Sequence, residues 1–283
     1  MNPELPITAV VLCAALLHAV WNAVLKTGED RLATLAHMNG PWLLVAAPMV
    51  ALLPLPAPES WPYLAGSVLL HWVYMLGLLW MYRVGDLSHV YPLARGSAPL
   101  VLSLLSWWVA GELLHTREWL GVALVSVGVL TLTLQGGRSS RADWRPVAAA
   151  LFVGATIVGY TLTDGLGVRR AGTTLGYVMW LFGLMALPWW VALARVHLGR
   201  RVRMPRRALL SALACGVMAM TAYALVIWAL RQASMAPVAA LRETSVIFAA
   251  LIGTLKLGEP FGRRRVLASV LVAAGVALIN LPG

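Results

Sequence analysis

The sequence has few charged residues and few cysteines. Only 12% of its 283 residues are charged, whereas an average soluble domain has about 25%. The mean hydropathy is +0.79. These values exclude an ordinary soluble globular protein. The two cysteines, Cys13 and Cys215, lie within apolar runs, so we expect them to pack as small apolar residues and not to form a disulfide.

Motifs that carry common enzyme chemistry are also missing. The chain has no GxxxxGK[ST] phosphate loop, no HExxH pair, and no Ser/His/Asp set with supporting context, and its six histidines are scattered over different segments. We therefore expect no catalytic residues, no metal site and no cofactor. An integral membrane enzyme or accessory subunit that acts on lipid-linked or membrane substrates stays as the alternative hypothesis.

Long apolar runs recur from one end of the chain to the other. Runs of about 18 residues or more are long enough to cross a hydrocarbon core of about 30 Å as helices. The sequence therefore predicts an all-α integral membrane protein that uses the lipid bilayer as its solvent. The ten predicted spans are residues 6–26, 33–54, 62–82, 88–111, 118–135, 146–163, 173–195, 207–230, 236–257 and 265–281.

The basic residues are unevenly distributed between the loops. The net charge is +11, and the loops that follow odd-numbered spans hold 15 Lys and Arg residues, against 4 in the other loops. Basic loops of membrane proteins stay in the cytoplasm, so this charge reflects insertion and predicts no nucleic-acid partner. We expect a multi-pass protein of the bacterial inner (plasma) membrane, and the charge bias favours both termini outside.

Two stretches of the chain repeat each other. Residues 95–134 align with residues 242–281 without a gap, with 11 identities in 40 positions, and the alignment pairs Arg95 with Arg242. It predicts two units of five spans each, residues 1–137 and 146–283. Because five is odd, the second unit enters the membrane in the opposite orientation, which gives an inverted repeat.

The paired arginines lie inside predicted spans. An arginine there costs roughly 2.5 to 3.5 kcal/mol unless it faces a partner or a wet cavity, so Arg95 and Arg242 are candidate binding residues near the midplane. Snorkelling of Arg95 to the headgroups is the alternative. Because Pro92 and Pro99 flank Arg95, we expect its helix to be kinked or unwound there.

Glu243 is the only carboxylate that the predicted spans place well inside the membrane. It is therefore the candidate for proton coupling. Two arginines against one carboxylate also predict a neutral or positive cavity, which favours anionic or zwitterionic cargo over lipophilic cations.

Other polar and aromatic side chains are candidates for the walls of the same cavity, although hydrogen bonding between helices is an equally good explanation for several of them. The full set of predicted substrate-binding residues is His18, Trp21, Asn22, His71, Tyr74, Tyr91, Arg95, Tyr160, Tyr177, Trp180, Arg242 and Glu243. Glu112 and Glu259, each in a Gly-Glu pair at a span end, are predicted to be helix caps or parts of a gate.

Several segments together resemble a known family. HAVWNAVLK, VYPLARGSAP, GELL, APVAALRETSVIFAALIGTLKLGEP and VAAGVALIN are similar to EamA-type members of the drug/metabolite transporter superfamily, over nearly the whole chain. The resemblance implies a ten-helix inverted-repeat bundle, as a monomer or homodimer. It also implies secondary-active export or exchange of a small polar metabolite, such as an amino acid or organic anion, with protons or a counter-substrate. The family habit places both termini inside, against the charge bias, and span 1 lacks the glutamate of the small multidrug relatives.

Overall fold

A computed structural model describes residues 4–26, 31–85, 87–135, 144–200, 205–257 and 262–281. Within these ranges the chain forms α-helices and short 3-10 turns, without a β-strand. The first half contains α1 (Glu4–Lys26), α2 (Arg31–Asn39), α3 (Trp42–Leu52), α4 (Trp61–Val84), α5 (Leu87–Ala110) and α6 (Thr116–Thr131). The second half contains α7 (Arg145–Arg170), α8 (Thr174–Arg200), α9 (Arg206–Gln232), α10 (Met235–Arg242), α11 (Ser245–Leu257) and α12 (Arg263–Ile279).

The helices confirm a multi-pass membrane protein. A helix satisfies its own backbone hydrogen bonds, which a hydrocarbon environment demands. Among the described residues, eight segments are long and apolar enough to cross a membrane. They are Pro6–Val24, Thr34–Leu52, Pro58–Val84, Val90–Ala110, Arg145–Arg170, Thr174–Val191, Arg206–Gln232 and Met235–Leu255. The other two predicted spans contain α6 and α12, which have 16 and 17 residues, so the count of ten stays a prediction.

Two of the eight segments are broken helices. One is interrupted between α2 and α3 at Gly40 and Pro41, and the other between α10 and α11 at Glu243 and Thr244. The expected unwinding around Arg95 was wrong, because α5 is continuous and carries both of its prolines inside. A proline removes one amide donor but leaves the other hydrogen bonds of the helix in place, and here α6 and α7 pack against α5.

Glycines bring α6 and α12 into backbone contact. A Cβ atom on Gly121 would lie 2.8 Å from the carbonyl oxygen of Gly275, and one on Gly275 would lie 2.6 Å from that of Gly121. A Cβ on Gly128 would meet the carbonyl oxygen of Ala268 at 3.1 Å. Small residues at these positions let the two helices approach closely.

The two halves of the chain pack into each other. Helix α4 packs against α7 just as α9 packs against α1, and α5 packs against α7 just as α10 and α11 pack against α1. The pairs α6 with α12 and α3 with α8 each join one helix from either half. The same set of contacts therefore results when the two halves are exchanged. Helices α5 and α10, which carry the two arginines, pack against each other at the junction of the halves.

Candidate functional site

Arg95 and Glu243 form a buried ion pair between the two halves. The Nε–H of Arg95 donates a hydrogen bond to Oε2 of Glu243 at 2.9 Å. Arg95 is 3% exposed and Glu243 is 1% exposed. Arg95 therefore has a protein partner and does not snorkel to the membrane surface. A charge-assisted bond of this length in an apolar interior is among the stronger contacts available to a protein.

The break between α10 and α11 explains why two charged residues are adjacent here. Arg242 is the last residue of α10 and Glu243 lies before the first turn of α11. A cation is stabilised at a helix C-terminus and an anion at an N-terminus. Successive residues of a helix point about 100° apart, so Glu243 reaches Arg95 while Arg242 is directed towards Tyr160, its Cζ atom lying 6.0 Å from the ring centroid.

Several buried donors around this pair have no protein acceptor. Among the described residues, Nε and Nη2 of Arg242 and Nη2 of Arg95 are buried without a hydrogen-bond partner. The same holds for Trp21 Nε1 and for His18 Nε2, which is a donor in one tautomer of the ring; these two rings on α1 meet edge to face at 5.0 Å. His18 lies close enough to Arg95 and Arg242 for both charges to act on its imidazole ring. A buried donor left unsatisfied costs about 1 to 3 kcal/mol, so this cluster has the donors that an anionic group would satisfy.

Aromatic rings form one wall of the arginine cluster. His71 stacks on Tyr160 with 4.1 Å between ring centroids, and Tyr74 meets Tyr160 edge to face at 5.7 Å. Tyr223, which was not among the predicted residues, contacts both His71 and Tyr160 by its ring edge. Tyr91 is half-buried and close enough to Arg95 and Glu243 to interact with their charges.

Other predicted site residues lie elsewhere or are occupied by local bonds. The side-chain amide of Asn22 donates to the carbonyl oxygen of His18, one turn earlier in its own helix, at 2.8 Å. Trp180 packs edge to face on Trp61 at 4.9 Å, and no contact places it at the arginines. Glu259 lies outside the described residues. In the described part of the chain, no group of three His, Cys, Asp or Glu side chains is arranged to hold a metal ion.

Asp164 is a second buried carboxylate that the sequence analysis missed. The predicted span ended at residue 163, but α7 continues to Arg170, and Asp164 is 0% exposed. Its Oδ1 accepts a hydrogen bond from the Tyr177 hydroxyl at 3.0 Å and its Oδ2 accepts one from the Tyr223 hydroxyl at 2.5 Å. The expectation that Glu243 is the only carboxylate well inside a span was therefore wrong. The sequence feature that could have indicated a buried Asp164 is Tyr160, a predicted site residue that lies four residues earlier on the same face of the helix.

Glu112 links the two halves near the end of the bundle that carries the termini. It lies in the α5–α6 loop after Gly111, whose φ of 66° suits glycine. Its Oε1 accepts from Arg169 Nη2 at 2.6 Å, and its Oε2 accepts from the backbone N–H of Met235, the first residue of α10, at 2.9 Å. Arg169 also donates to the carbonyl oxygens of Leu230 and Ala233.

A cavity of about 510 Å³ lies beside this link. Glu112, Arg169 and Arg231 are among its lining residues, as are Pro237 and Leu241 of α10. Leu241 directly precedes Arg242, so the cavity reaches the neighbourhood of the arginine cluster without including it. We call this cavity the vestibule.

Comparison with known proteins identifies the second half of the chain. Residues 144–281 match the EamA-like transporter family. The second half is an EamA domain. It comprises α7 to α12 and carries Asp164, Arg242 and Glu243. The resemblance seen in the sequence is thus confirmed for this half of the chain.

Two further similarities concern the fold and a short stretch. A crystal structure of a protein 19% identical in sequence aligns over 98% of both chains with a TM-score of 0.74, which shows a shared fold. The uncharacterized protein y4nH of Sinorhizobium fredii (strain NBRC 101917 / NGR234) is 39% identical over 51 residues. That match spans 18% of this chain and 44% of y4nH, so it covers less than half of the relative.

Proposed function

We propose that this protein is a secondary-active exporter or exchanger that moves a small polar metabolite with an anionic group, such as an amino acid or organic anion, across the bacterial inner membrane. The observation that carries the proposal is the set of buried N–H donors without an acceptor on Arg95 and Arg242. Glu243 neutralises Arg95 directly. Arg242 keeps its charge over an aromatic ring, and a ligand carboxylate or similar group supplies the missing acceptors.

The architecture that we propose is a ten-span inverted repeat of residues 1–137 and 146–283. The exchange of contacts between the halves supports it, because α4 relates to α7 as α9 relates to α1. We assign α6 and α12 as the fifth and tenth spans. Their glycine-mediated contact joins corresponding helices of the two units, as an axis between inverted repeats requires.

Alternating access follows from this arrangement. The substrate site lies between the repeats, and one half rocks against the other to open it to either side. We propose that Glu112 acts as a gate on the side of the vestibule, because its carboxylate joins the first half to both Arg169 and the start of α10. Breaking these two bonds frees α10, whose last residue is Arg242.

The energy source and orientation are proposals from the sequence. Glu243 was the candidate for proton coupling from the sequence, but its ion pair with Arg95 holds it in the charged form. The loop charge bias favours an outside location for the termini and the vestibule. An exchange cycle with a counter-substrate uses the same site.

A thermal-shift screen tests the proposed substrate class. Purified wild-type protein is mixed with amino acids, organic acids, phosphonates, amines and quaternary ammonium dyes. We expect an anionic or zwitterionic compound to raise the melting temperature, and we expect Arg242→Gln to abolish this shift. Arg170→Gln removes a positive charge from an exposed position on α7 and keeps the shift. Stabilisation by quaternary ammonium dyes that survives Arg242→Gln contradicts the proposal. Chemical conversion of any compound during incubation with the protein favours the alternative of a membrane enzyme.

A further inference from the structure

Among the described residues, the hydrogen-bond partners of Asp164 are neutral hydroxyl groups. It is 0% exposed, at the contact of α7 with α8 and α9. Tyr177 of α8 and Tyr223 of α9 each donate a hydroxyl hydrogen bond to one of its oxygens, and Ser67 of α4 is a third hydrogen-bond partner. In the part of the chain that the structure describes, no ion pair includes Asp164.

Glu243 has the opposite environment, because a guanidinium binds it at 2.9 Å. A bound cation holds a carboxylate in its charged form. Removing that charge leaves the arginine buried without its partner, which is strongly unfavourable. A carboxylate that is buried among hydroxyl groups has no such constraint, since tyrosine and serine hydroxyls both donate and accept hydrogen bonds. Asp164 is thus the carboxylate of the two that is able to take up and release a proton without stranding a cation.

One continuous cluster joins Asp164 to the proposed substrate site. Tyr223 bonds Asp164 and contacts the rings of His71 and Tyr160. Arg242 lies over Tyr160, and its charge acts on Asp164. The titratable or polar groups that surround Asp164 are therefore Ser67 and His71 on α4, Tyr160 on α7, Tyr177 on α8, Tyr223 on α9 and Arg242 at the end of α10.

We propose that Asp164 is the proton-binding site of the transporter and that its proton is coupled to the anion site at Arg242. This proposal rests on the proposed function. With Asp164 protonated, the buried charges of Arg95, Arg242 and Glu243 sum to +1. With Asp164 ionised, its own negative charge brings the sum of the four to zero. The protonated form therefore binds an anion more tightly, by about tenfold for unit charges roughly 10 Å apart at an effective dielectric constant near 20.

Coupling of this kind is reciprocal, so a bound anion also favours the proton on Asp164. The anion-bound carrier is therefore the form that holds the proton.

Met235 lies between the neighbour of Asp164 and the wall of the vestibule. Gly165, next to Asp164, packs so tightly on Met235 that a Cβ atom there would lie 2.6 Å from the methionine sulfur. The N–H of Met235 is bound to Glu112, which lines the vestibule.

Infrared titration of the purified protein tests the assignment without any transported ligand. The pH-dependent carbonyl-stretch band of a protonated carboxylic acid is recorded for wild type, Asp164→Asn and Glu243→Gln. We expect the band in wild type and in Glu243→Gln, and its loss in Asp164→Asn. A band that disappears in Glu243→Gln but persists in Asp164→Asn assigns the proton to Glu243 and overturns the proposal, as does the absence of any titrating buried band in wild type.

Two further variants test the coupling, and they keep the assignment testable if Asp164→Asn does not fold. Tyr223→Phe removes one donor from the carboxylate and is expected to move the pH midpoint of the band. Arg242→Gln is expected to move it as well, whereas Arg170→Gln leaves it in place. A midpoint that is the same in all three variants as in wild type overturns the proposal. Because none of these measurements uses a substrate, a failed ligand screen counts against the proposed function, and a failed titration counts against Asp164.

Discussion

Removing one partner of the Arg95–Glu243 pair should destabilise the protein far more than removing both. At an effective dielectric constant near 20, unit charges about 3 Å apart attract each other by about 6 kcal/mol. Arg95 and Glu243 are 3% and 1% exposed, so water does not replace a lost partner. We expect Arg95→Gln and Glu243→Gln each to lower the free energy of unfolding by about 3 to 5 kcal/mol, as for other buried pairs.

The double variant Arg95→Gln/Glu243→Gln leaves two neutral amides that hydrogen-bond each other across the same gap. We expect the double variant to lower the free energy of unfolding by only about 1 kcal/mol, so the double-mutant cycle gives a coupling energy of several kcal/mol. The assay is equilibrium unfolding of the purified protein in mixed micelles, with Arg170→Gln as the control for loss of one exposed arginine. Single variants that each cost less than about 1 kcal/mol, or costs that simply add in the double variant, would refute the buried pair.

Three other predictions follow from the packing and the loops. Gly275→Ala should lower the unfolding free energy by about 1 to 3 kcal/mol, because its Cβ meets a backbone oxygen of α6 at 2.6 Å. Gly262→Ala is the control and should change little, since a Cβ there meets no atom of the described residues within 4 Å. Glu112→Ala should lower the free energy of unfolding by about 1 to 3 kcal/mol, since it removes the carboxylate partner of Arg169 and leaves the Met235 N–H without its acceptor. An unchanged stability would mean that the link is not formed. Reporter fusions after Gly172 and after Arg200 should report outside and cytoplasmic locations respectively, and the reverse result would support the family habit over the charge bias.

The sequence was sufficient to predict the class of fold and its central arginines. Apolar runs predicted the spans, and an arginine inside a span was expected to face a partner or a wet cavity unless it snorkels. Arg95 has a partner, Glu243. These features depend on local composition or on the ungapped repeat, and both can be read from one sequence.

The partner of Arg95 was not predictable from spacing alone. Glu243 lies 148 residues away, and the two meet only because α5 and α10 pack against each other when the halves interlock. The unwinding expected at Arg95 was wrong for a related reason. Two prolines flank Arg95, but neighbouring helices pack against α5 and it stays continuous. The break in the second half lies at Glu243 and Thr244, next to Arg242.

Asp164 was missed because a charged residue was taken as the end of an apolar run. The run continues through Gly165 to Val168, and both of these residues are buried. A buried carboxylate needs donors from other helices, and these are two tyrosines that lie 13 and 59 residues further along the chain. The donors become apparent only when α8 and α9 are packed on α7.

Counterflow in proteoliposomes tests the central claim most directly. Vesicles loaded with the ligand that the thermal-shift screen selects are diluted into its labelled form, and uptake is measured for wild type, Arg242→Gln and the control Arg170→Gln. We predict uptake by wild type and by Arg170→Gln, and uptake at least about tenfold slower for Arg242→Gln. Equal uptake by all three proteins would contradict a transport site built on the buried arginines.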